Sequence, residues 1–311
     1  MKTRNIISPK YWAVMLAVPM LFTSCKDEDP IDNSANTNGV SLNSNTTDVC
    51  QYANRLEFPH LSSNGTSQVL VNKTNDKYDA DGINYCVEWD SNLKSQRWSC
   101  YQMHTGYSVS GISRFTPDDD SDRQYPYDPR LTMGGTYLDD DYFYGSGFDH
   151  GHMCPSADRL YSSYANWQTF YMTNMQPQLN SFNAGIWEKL ESQIRSWAGI
   201  YTCENMYVVK GGTIDSEENI YKYVTKSNGK DRLIVPKYYF VALLAKNAYG
   251  YKAIGFWFDQ TAGIKSNDKL ANYALSIDEL ERKTGIDFFC NLPDDIEEAR
   301  ESRCDLTAWG L

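Results

Sequence analysis

The segment GFDHGHMCPSADR, residues 147–159, holds two of the four histidines of the chain, His150 and His152. One glycine separates them, an aspartate precedes them and Pro155 follows. Alternate side chains of an extended segment face the same way, so the two imidazoles are expected on one face. The pattern fits three interpretations: a metal site, a general base, or a polar turn.

A zinc site built on His150 and His152 would need a third protein ligand. The remaining histidines, His60 and His104, stand in no ligand-like cluster, so carboxylates or Cys154 would have to complete the set. A zinc-dependent hydrolase is therefore an alternative, which metal analysis of the purified protein would test.

A second segment, FYMTNMQPQLNSFNAGIWEKLE at residues 170–191, supplies further polar groups. Asn174 ends an apolar run, and Asn183 begins a stretch with apolar side chains at helical spacing, which predicts an amphipathic helix. Glu191 and Arg195 fall on its less apolar side. Taken singly, Asn183 fits a helix cap, and Glu191 with Arg195 an i,i+4 surface pair worth about 0.3–0.5 kcal/mol.

The rest of the chain alternates strand-like and helix-like segments. One helix is predicted in SIDELERKTG, with Ser276 as N-cap, Glu279 completing a capping box and Gly285 as the stop. An α+β fold follows, with a mixed, mostly antiparallel central sheet and flanking helices in one domain over residues 55–311. The predicted strands are SQVLVNKT (67–74), GINYCVEWD (82–90), NMYVVKGGT (205–213), YYFVALLA (238–245) and YKAIGFWF (251–258).

The first 24 residues have the composition of an export signal. Three basic residues, Lys2, Arg4 and Lys10, precede an apolar run at residues 11–22. A run of about 12 apolar residues is too short to span a bilayer and is typical of a signal peptide. Residues 1–24 are therefore predicted to be removed on export.

The apolar run ends in LFTSC, where small residues stand directly before Cys25. This placement resembles a bacterial lipobox, which predicts a lipid on Cys25 and anchoring to the outer membrane, facing the cell surface or the periplasm. An ordinary secretory signal with a coincidental cysteine is the alternative. Residues 25–54, rich in Asn, Ser, Thr and Asp, are predicted to form a tether.

Seven further cysteines follow Cys25, and none lies in a CxxC motif. An exported protein folds in an oxidising compartment, where disulfides persist. Spacing makes Cys86 with Cys100, and Cys290 with Cys304, the plausible bridges, although the sequence does not fix the connectivity.

The motifs DHGHMCPSADR, TNMQPQ and FNAGIWEKLE together resemble those of the DNA/RNA non-specific endonucleases of the ββα-metal (His-Me finger) type, which include mitochondrial endonuclease G. The family pattern runs Asp-Arg-Gly-His-x-Ala-Pro, then Thr-Asn-x-x-Pro-Gln, then Asn with Glu eight residues on. Matches at RWSCYQM, MYVVKGGT, LIVPKYYFVALL and TGIDFFCNLPDD extend the resemblance over nearly the whole domain. The resemblance implies a ββα-metal active-site motif and hydrolysis of phosphodiester bonds in DNA and RNA.

Carried over position by position, the resemblance makes His152 the general base and Asn183 the one direct side-chain metal ligand. The implied cofactor is Mg²⁺, with Mn²⁺ able to replace it, and the products would carry 5′-phosphate ends. Neutral imidazole suits a base near pH 7, and Mg²⁺ prefers few protein ligands and several waters.

The resemblance also assigns supporting roles. Asp149, Asn174 and Glu191 match residues that hold the waters of the metal or orient the site. Arg195 and Arg114 match positions that supply positive charge near the phosphate.

Two positions depart from the family pattern. His150 stands where the family has arginine, and Cys154 stands where it has alanine. If His150 faces the phosphate, it must be protonated while His152 must be neutral, which predicts a bell-shaped pH profile. If His150 packs in the loop, it takes no part in the chemistry. Cys154 either forms a bridge that holds the loop or serves as a small hydrophobic residue.

The charge of the chain opposes a polyanionic substrate. The net charge is −11, and removal of residues 1–24, with three basic and no acidic residues, takes it to −14. A nuclease therefore needs its acidic clusters, Asp118–Asp120, Asp139–Asp141 and PDDIEE, to lie away from the cleft.

A surface-binding lipoprotein with the same fold and an inactive site is the alternative function. The sequence does not indicate the oligomeric state.

Overall fold

The structure, a computed structural model, describes residue 41 and residues 43–77, 79–105, 111–118, 123–131, 142–200, 202–225 and 232–311. The predicted signal peptide and Cys25 lie outside these residues. Within the part that is described, no helix is both long enough and apolar enough to cross a bilayer.

β-Branched and aromatic segments form the strands of the described chain. Seven strands make one sheet in the order β1-β2-β3-β6-β9-β10-β11, and β4–β5 and β7–β8 make two small sheets. The strands are β1 (Ser67–Lys73), β2 (Ile83–Asp90), β3 (Ser95–Met103), β4 (Asp149–His152), β5 (Met175–Gln178), β6 (Asn205–Gly212), β7 (Ile220–Thr225), β8 (Arg232–Pro236), β9 (Tyr238–Asn247), β10 (Gly250–Asp259) and β11 (Ala274–Leu275).

Every strand pair among the described residues is antiparallel. The predicted α+β class with an antiparallel sheet is confirmed, but the sheet lacks the parallel pairs that a mixed sheet would contain. Short connections join the neighbouring strands β2 and β3, and β9 and β10, as antiparallel pairing allows.

The large sheet is covered on both faces, which explains its apolar strands. Along β9, Tyr239, Val241 and Leu243 belong to one hydrophobic cluster, whereas Phe240 and Ala242 belong to a second. Alternate side chains of a strand point to opposite faces, so the two clusters are two cores. A strand buried on both faces reads as a continuous apolar run, as YYFVALLA does.

The helices cover these two faces. α3 packs in the first core through Leu190, Ile194 and Trp197, and α4 packs in the second through Ile277 and Leu280. The helices are α1 (Ser163–Gln168), α2 (Asn180–Phe182), α3 (Glu188–Ala198), α4 (Ile277–Thr284), α5 (Asp294–Glu301) and α6 (Leu306–Trp309).

α4 begins and ends where the sequence predicts. The Ser276 hydroxyl accepts a hydrogen bond from the backbone N–H of Glu279 at 3.2 Å. Gly285 follows the helix with φ 69°, a left-handed conformation that glycine adopts without a steric penalty.

The predicted continuous helix from Asn183 is instead two elements. A π-helical turn, Asn183–Trp187, precedes α3, and Gly185 within it has non-helical dihedrals (φ −114°, ψ −112°). The wider turn changes the phase of the helix, so that Asn183 lines a cleft while Ile186 and Trp187 pack in the core. Such π-turns often occur at functional sites.

Packing starts earlier in the chain than the predicted domain boundary at residue 55. The side-chain amide of Asn45 donates to the carbonyls of Ala53, at 3.1 Å, and Pro59, at 2.9 Å. Ala53 is fully buried in the second core. The end of the predicted tether therefore packs on the domain.

The seven cysteines of the described chain are free thiols. Cys86 of β2 pairs in register with Cys100 of β3, so this suggested bridge joins neighbouring positions. Cys290 is buried and Cys304 is exposed. The structure contains neither of the two suggested bridges.

Candidate active site

The DHGH motif forms β4 of a two-stranded sheet. In its pairing with β5, Asp149 lies opposite Gln178 and His152 opposite Met175. A Cβ at residue 151 would overlap the buried side chain of Gln178, so a larger residue between the histidines would have to displace that side chain. α2, the π-helical turn and α3 follow β5 directly, which completes a ββα arrangement.

This arrangement forms one wall of a cleft of about 480 Å³. The cleft brings together all the predicted catalytic and metal-binding residues other than Asn174: Arg114, Asp149, His150, His152, Asn183, Glu191 and Arg195. Residues from three separate parts of the sequence therefore meet at one place.

Asn174 supports the site from below the surface. It is fully buried, and its amide nitrogen donates to the carbonyls of Cys154, at 2.8 Å, and Thr169, at 2.7 Å. Its amide oxygen accepts from the backbone N–H of Cys154 at 2.9 Å. Asn174 thus holds the loop that follows β4 and orients the site without lining it.

His152 presents a free acceptor nitrogen. Its Nε2 is buried without a hydrogen-bond partner, and the ring donates to the backbone of His150, which assigns that hydrogen bond to Nδ1. Burial, and next the positive charge of Arg114, lower the pKa of His152 to about 3. The imidazole is therefore neutral at pH 7, with the lone pair on Nε2.

His150 is packed between two aromatic rings. Its ring lies 3.7 Å from that of Tyr125, inclined by 3°, and 4.3 Å from that of Phe143, inclined by 18°. This stacking supports the packing role considered for His150. A loss of activity at alkaline pH through deprotonation of His150 stays a prediction.

The zinc arrangement is not formed in the described part of the chain. No three His, Cys, Asp or Glu ligand atoms of the cleft lie close enough to share one ion. Cys154 is fully buried, and burial raises its pKa to about 12, so it is a neutral thiol rather than a metal ligand. It fills space as a small hydrophobic residue.

Asp149 fixes the orientation of Asn183. The Asp149 carboxylate accepts from the amide nitrogens of Asn180, at 2.9 Å, and Asn183, at 3.0 Å. Because the Asn183 nitrogen is used in this way, its amide oxygen is the atom left to bind a cation. The exposed Glu188 adds another carboxylate to the cleft, which sequence analysis missed.

Glu191 is paired with a buried lysine that sequence analysis also missed. Lys210 of β6 has a side chain that is 1% exposed, and its Nζ lies 2.9 Å from Glu191 Oε1. Burial raises the pKa of Glu191, while Lys210 acts against that rise. The sequence signal was a lysine between two valines and two glycines in a buried strand.

Arg195 is held by Asp158 rather than by Glu191. Its guanidinium donates to Asp158 Oδ1 at 2.8 Å and to the Ser192 hydroxyl at 2.9 Å. The surface i,i+4 pair considered for Glu191 and Arg195 is therefore replaced by two separate ion pairs. Asp158 belongs to the opening motif, but nothing in its spacing marked it as a partner of α3.

Arg114, the third cation beside Arg195 and Lys210, lies over the ring of Phe170 at 4.7 Å. Where the structure describes the predicted acidic clusters, they do not line this cleft. PDDIEE, residues 293–298, covers the start of α5, which contacts the large sheet at β10, and neither it nor Asp118 is among the lining residues. The other residues of those clusters, 119–120 and 139–141, lie outside the described chain.

Known nucleases are similar to this chain in sequence. A nuclease of Nostoc sp. is 26% identical over 254 residues, which cover 79% of this chain and 85% of that protein. The mitochondrial nuclease EXOG of Xenopus laevis is 27% identical over 234 residues, which cover 74% of this chain. The aligned region spans only 62% of that relative.

A solved structure of the EndoG/EndoGI complex has a chain that matches with a TM-score of 0.56 and 19% identity. The match covers 73% of this chain and 88% of that chain, which shows a shared fold. A sequence profile described as DNA/RNA non-specific endonuclease matches residues 63–295. This match includes every residue of the cleft, and the chain belongs to the DNA/RNA non-specific endonuclease family.

Proposed function

We propose that this chain is a sugar-non-specific endonuclease that hydrolyses phosphodiester bonds of DNA and RNA and leaves 5′-phosphate ends. The observation that carries the proposal is the unpartnered Nε2 of His152 in a cleft that also presents Arg114 and Asn183. A neutral imidazole accepts a proton from water, and fixed cations stabilise the charge that develops on phosphate.

The chain supplies these groups already oriented. His152 takes the proton of the attacking water, while Arg114 and Arg195 stabilise the phosphate. Asp158 fixes the Arg195 guanidinium, and the ring of Phe170 supports Arg114. An anionic phosphate offsets the charge of Arg114 and so raises the pKa of His152 toward a value that suits a base.

The donor set of the cleft fits Mg²⁺, with Mn²⁺ as a replacement. Asn183 offers its amide oxygen directly, and Asp149, Glu188 and Glu191 offer carboxylates that hold bound water. Few direct ligands and several waters suit an ion that dehydrates reluctantly. When bound, Mg²⁺ supplies Lewis-acid stabilisation of the phosphate and the leaving oxygen.

Hydrolysis of both DNA and RNA is supported by what the cleft offers. The groups proposed to act there are charged side chains, the His152 imidazole and the Asn183 amide oxygen, which suit a phosphodiester and a cation. These substrate features are shared by the two nucleic acids, whereas sequence would be read through contacts to base edges.

The direct test compares digestion of supercoiled DNA and structured RNA with Mg²⁺, Mn²⁺ or EDTA. We expect cleavage of both substrates with either metal, none with EDTA, and products that a ligase joins without prior phosphorylation. Binding of nucleic acid without metal-dependent cleavage would instead support the inactive surface-binding lipoprotein.

Asn183→Ala should raise the Mg²⁺ concentration for half-maximal activity by at least ~10-fold, because it removes the amide oxygen proposed as the direct ligand. The measurement is initial cleavage rate against Mg²⁺ concentration. Asn180→Ala is the matched control, since Asn180 makes the same donation to Asp149 from outside the cleft. Equal Mg²⁺ requirements in the wild type and Asn183→Ala would exclude Asn183 as a ligand.

We further propose that the protein is exported and anchored to the outer membrane by a lipid on Cys25, facing the cell surface or the periplasm. The basic residues, the short apolar run and LFTSC support this proposal.

Cys25→Ala should release the protein from membranes while its activity is unchanged, because the anchor and the cleft belong to different segments. Membrane fractionation and plasmid cleavage of the same preparations measure both properties. Continued membrane association of the variant would rule out the lipid anchor.

A further inference from the structure

Acidic side chains gather on the face of the large sheet that α4 covers, opposite the core in which α3 packs. Asp278 and Glu281 extend from α4, and Glu301 ends α5. One carboxylate oxygen from each of these three residues lies within 4.8 Å of the other two. None of them lines the catalytic cleft.

Two more carboxylates, Asp287 and Glu297, border this acidic cluster. The Asn43 amide nitrogen donates to Asp287 at 2.9 Å and to Glu297 at 3.3 Å. Among the ion pairs of the described residues, none joins a basic side chain to any of the five carboxylates. No ion pair within the described residues therefore holds these carboxylates.

Glu301 is the member that most requires a ligand. It is 4% exposed, and its Oε1 has no hydrogen-bond partner. An unpaired buried polar atom costs free energy, and native structures contain few of them.

We propose that Asp278, Glu281 and Glu301 form a structural Ca²⁺ site that joins α4 to α5. The donor atoms are all carboxylate oxygens, which hard cations prefer. Three oxygens within 4.8 Å of one another are close enough to bind one ion. Three protein carboxylates suit Ca²⁺, whereas Mg²⁺ is usually bound through only one or two and keeps more of its waters.

The surroundings of the site suit a partly hydrated ion. Glu301 and Glu297 also line a cavity of about 320 Å³, which gives a cation access from solvent and leaves room for water. One oxygen of Glu281 accepts from the backbone N–H of Phe288 at 2.8 Å, which fixes the carboxylate and leaves its other oxygen for the ion. Waters would complete the six to eight ligands typical of Ca²⁺.

The test uses the full chain carrying Asn183→Ala, in which cation binding at the catalytic cleft is weakened. Calorimetric titration with CaCl₂ should detect one site, and Ca²⁺ at 100-fold its Kd should raise Tm by about 5 °C or more. Adding Glu301→Gln should abolish both effects.

Asp295→Asn, an exposed position on the same helix that does not line this cavity, is the matched control and should keep the full Ca²⁺ response. If Glu301→Gln does not fold, Asp278→Asn replaces it with the same expectations. Wild-type DNA cleavage by Glu301→Gln in Mg²⁺ would confirm that this site is separate from the catalytic one. A Ca²⁺ response that Asn183→Ala removes, or that Glu301→Gln leaves unchanged, would overturn the proposal.

Discussion

His152→Ala should lose at least ~10²-fold in kcat/KM on DNA while it keeps the fold, because a positioned general base contributes ~10²–10⁴-fold. The affected step is removal of the proton from the attacking water, for which the unpartnered Nε2 of His152 is the acceptor. Initial rates of plasmid cleavage at fixed Mg²⁺ and salt measure the loss, and circular dichroism checks the fold.

His60→Ala is the matched control, since His60 is exposed and does not line the cleft. It should cleave at the wild-type rate. Near-wild-type cleavage by a folded His152→Ala protein would falsify the assignment of the base.

The lowered pKa of His152 also sets the sign of its pH effects. The neutral form acts as the base, and with a pKa of about 3 this form persists well below the ordinary value of 6.5. The acid limb of kcat/KM, which reports the free enzyme, should therefore lie below pH 6.5. The acid limb of the kcat profile should lie at a higher pH than that of kcat/KM, because bound phosphate raises the pKa of His152.

Protonation of His152 should also destabilise the fold in acid. The unfolded chain binds this proton near pH 6.5, whereas the folded chain binds it only near pH 3. The contribution of neutral His152 to the free energy of unfolding is therefore complete above pH 6.5 and is lost as the pH falls toward 3.

Local sequence patterns predicted much of this structure, because strands and helix ends are each encoded by a few neighbouring residues. Alternating and continuous apolar runs predicted the strands, and Ser276 and Gly285 predicted the ends of α4. The cleft residues could be named because their motifs also match a family. The π-helical turn was missed because helical spacing alone does not distinguish a wider turn from a regular one.

Long-range partners could not be predicted in the same way. Asp158 lies 37 positions from Arg195, and Lys210 lies 19 positions from Glu191. A single sequence does not show which charges meet across such separations. The rings of Tyr125 and Phe143 around His150 are a similar case, since only the fold reveals a packing role.

The Lys210–Glu191 pair is the long-range contact with the largest expected effect. Lys210 also lies 5.1 Å from the ring of Trp187, so an apolar replacement would enter an aromatic environment. Removing one member of a buried ion pair leaves the other charge uncompensated, which costs about 3–5 kcal/mol. Since Lys210 is the main influence that lowers the pKa of Glu191, its loss raises that pKa further.

Lys210→Met should therefore lower the free energy of unfolding by about 3–5 kcal/mol and reduce cleavage at neutral pH, because a protonated Glu191 no longer holds metal-bound water as a carboxylate. As pH rises through the raised pKa of Glu191, activity should partly recover while stability falls, since ionisation then occurs in a buried site without its cation. Urea unfolding and kcat/KM, each measured against pH, test both trends.

Lys246→Met is the matched control: its pair with Glu204, at 3.4 Å, is exposed and should contribute only about 0–1 kcal/mol. Adding Glu191→Gln to Lys210→Met should restore stability but not activity, whereas equal losses in Lys210→Met and Lys246→Met would show that the buried pair has no special role.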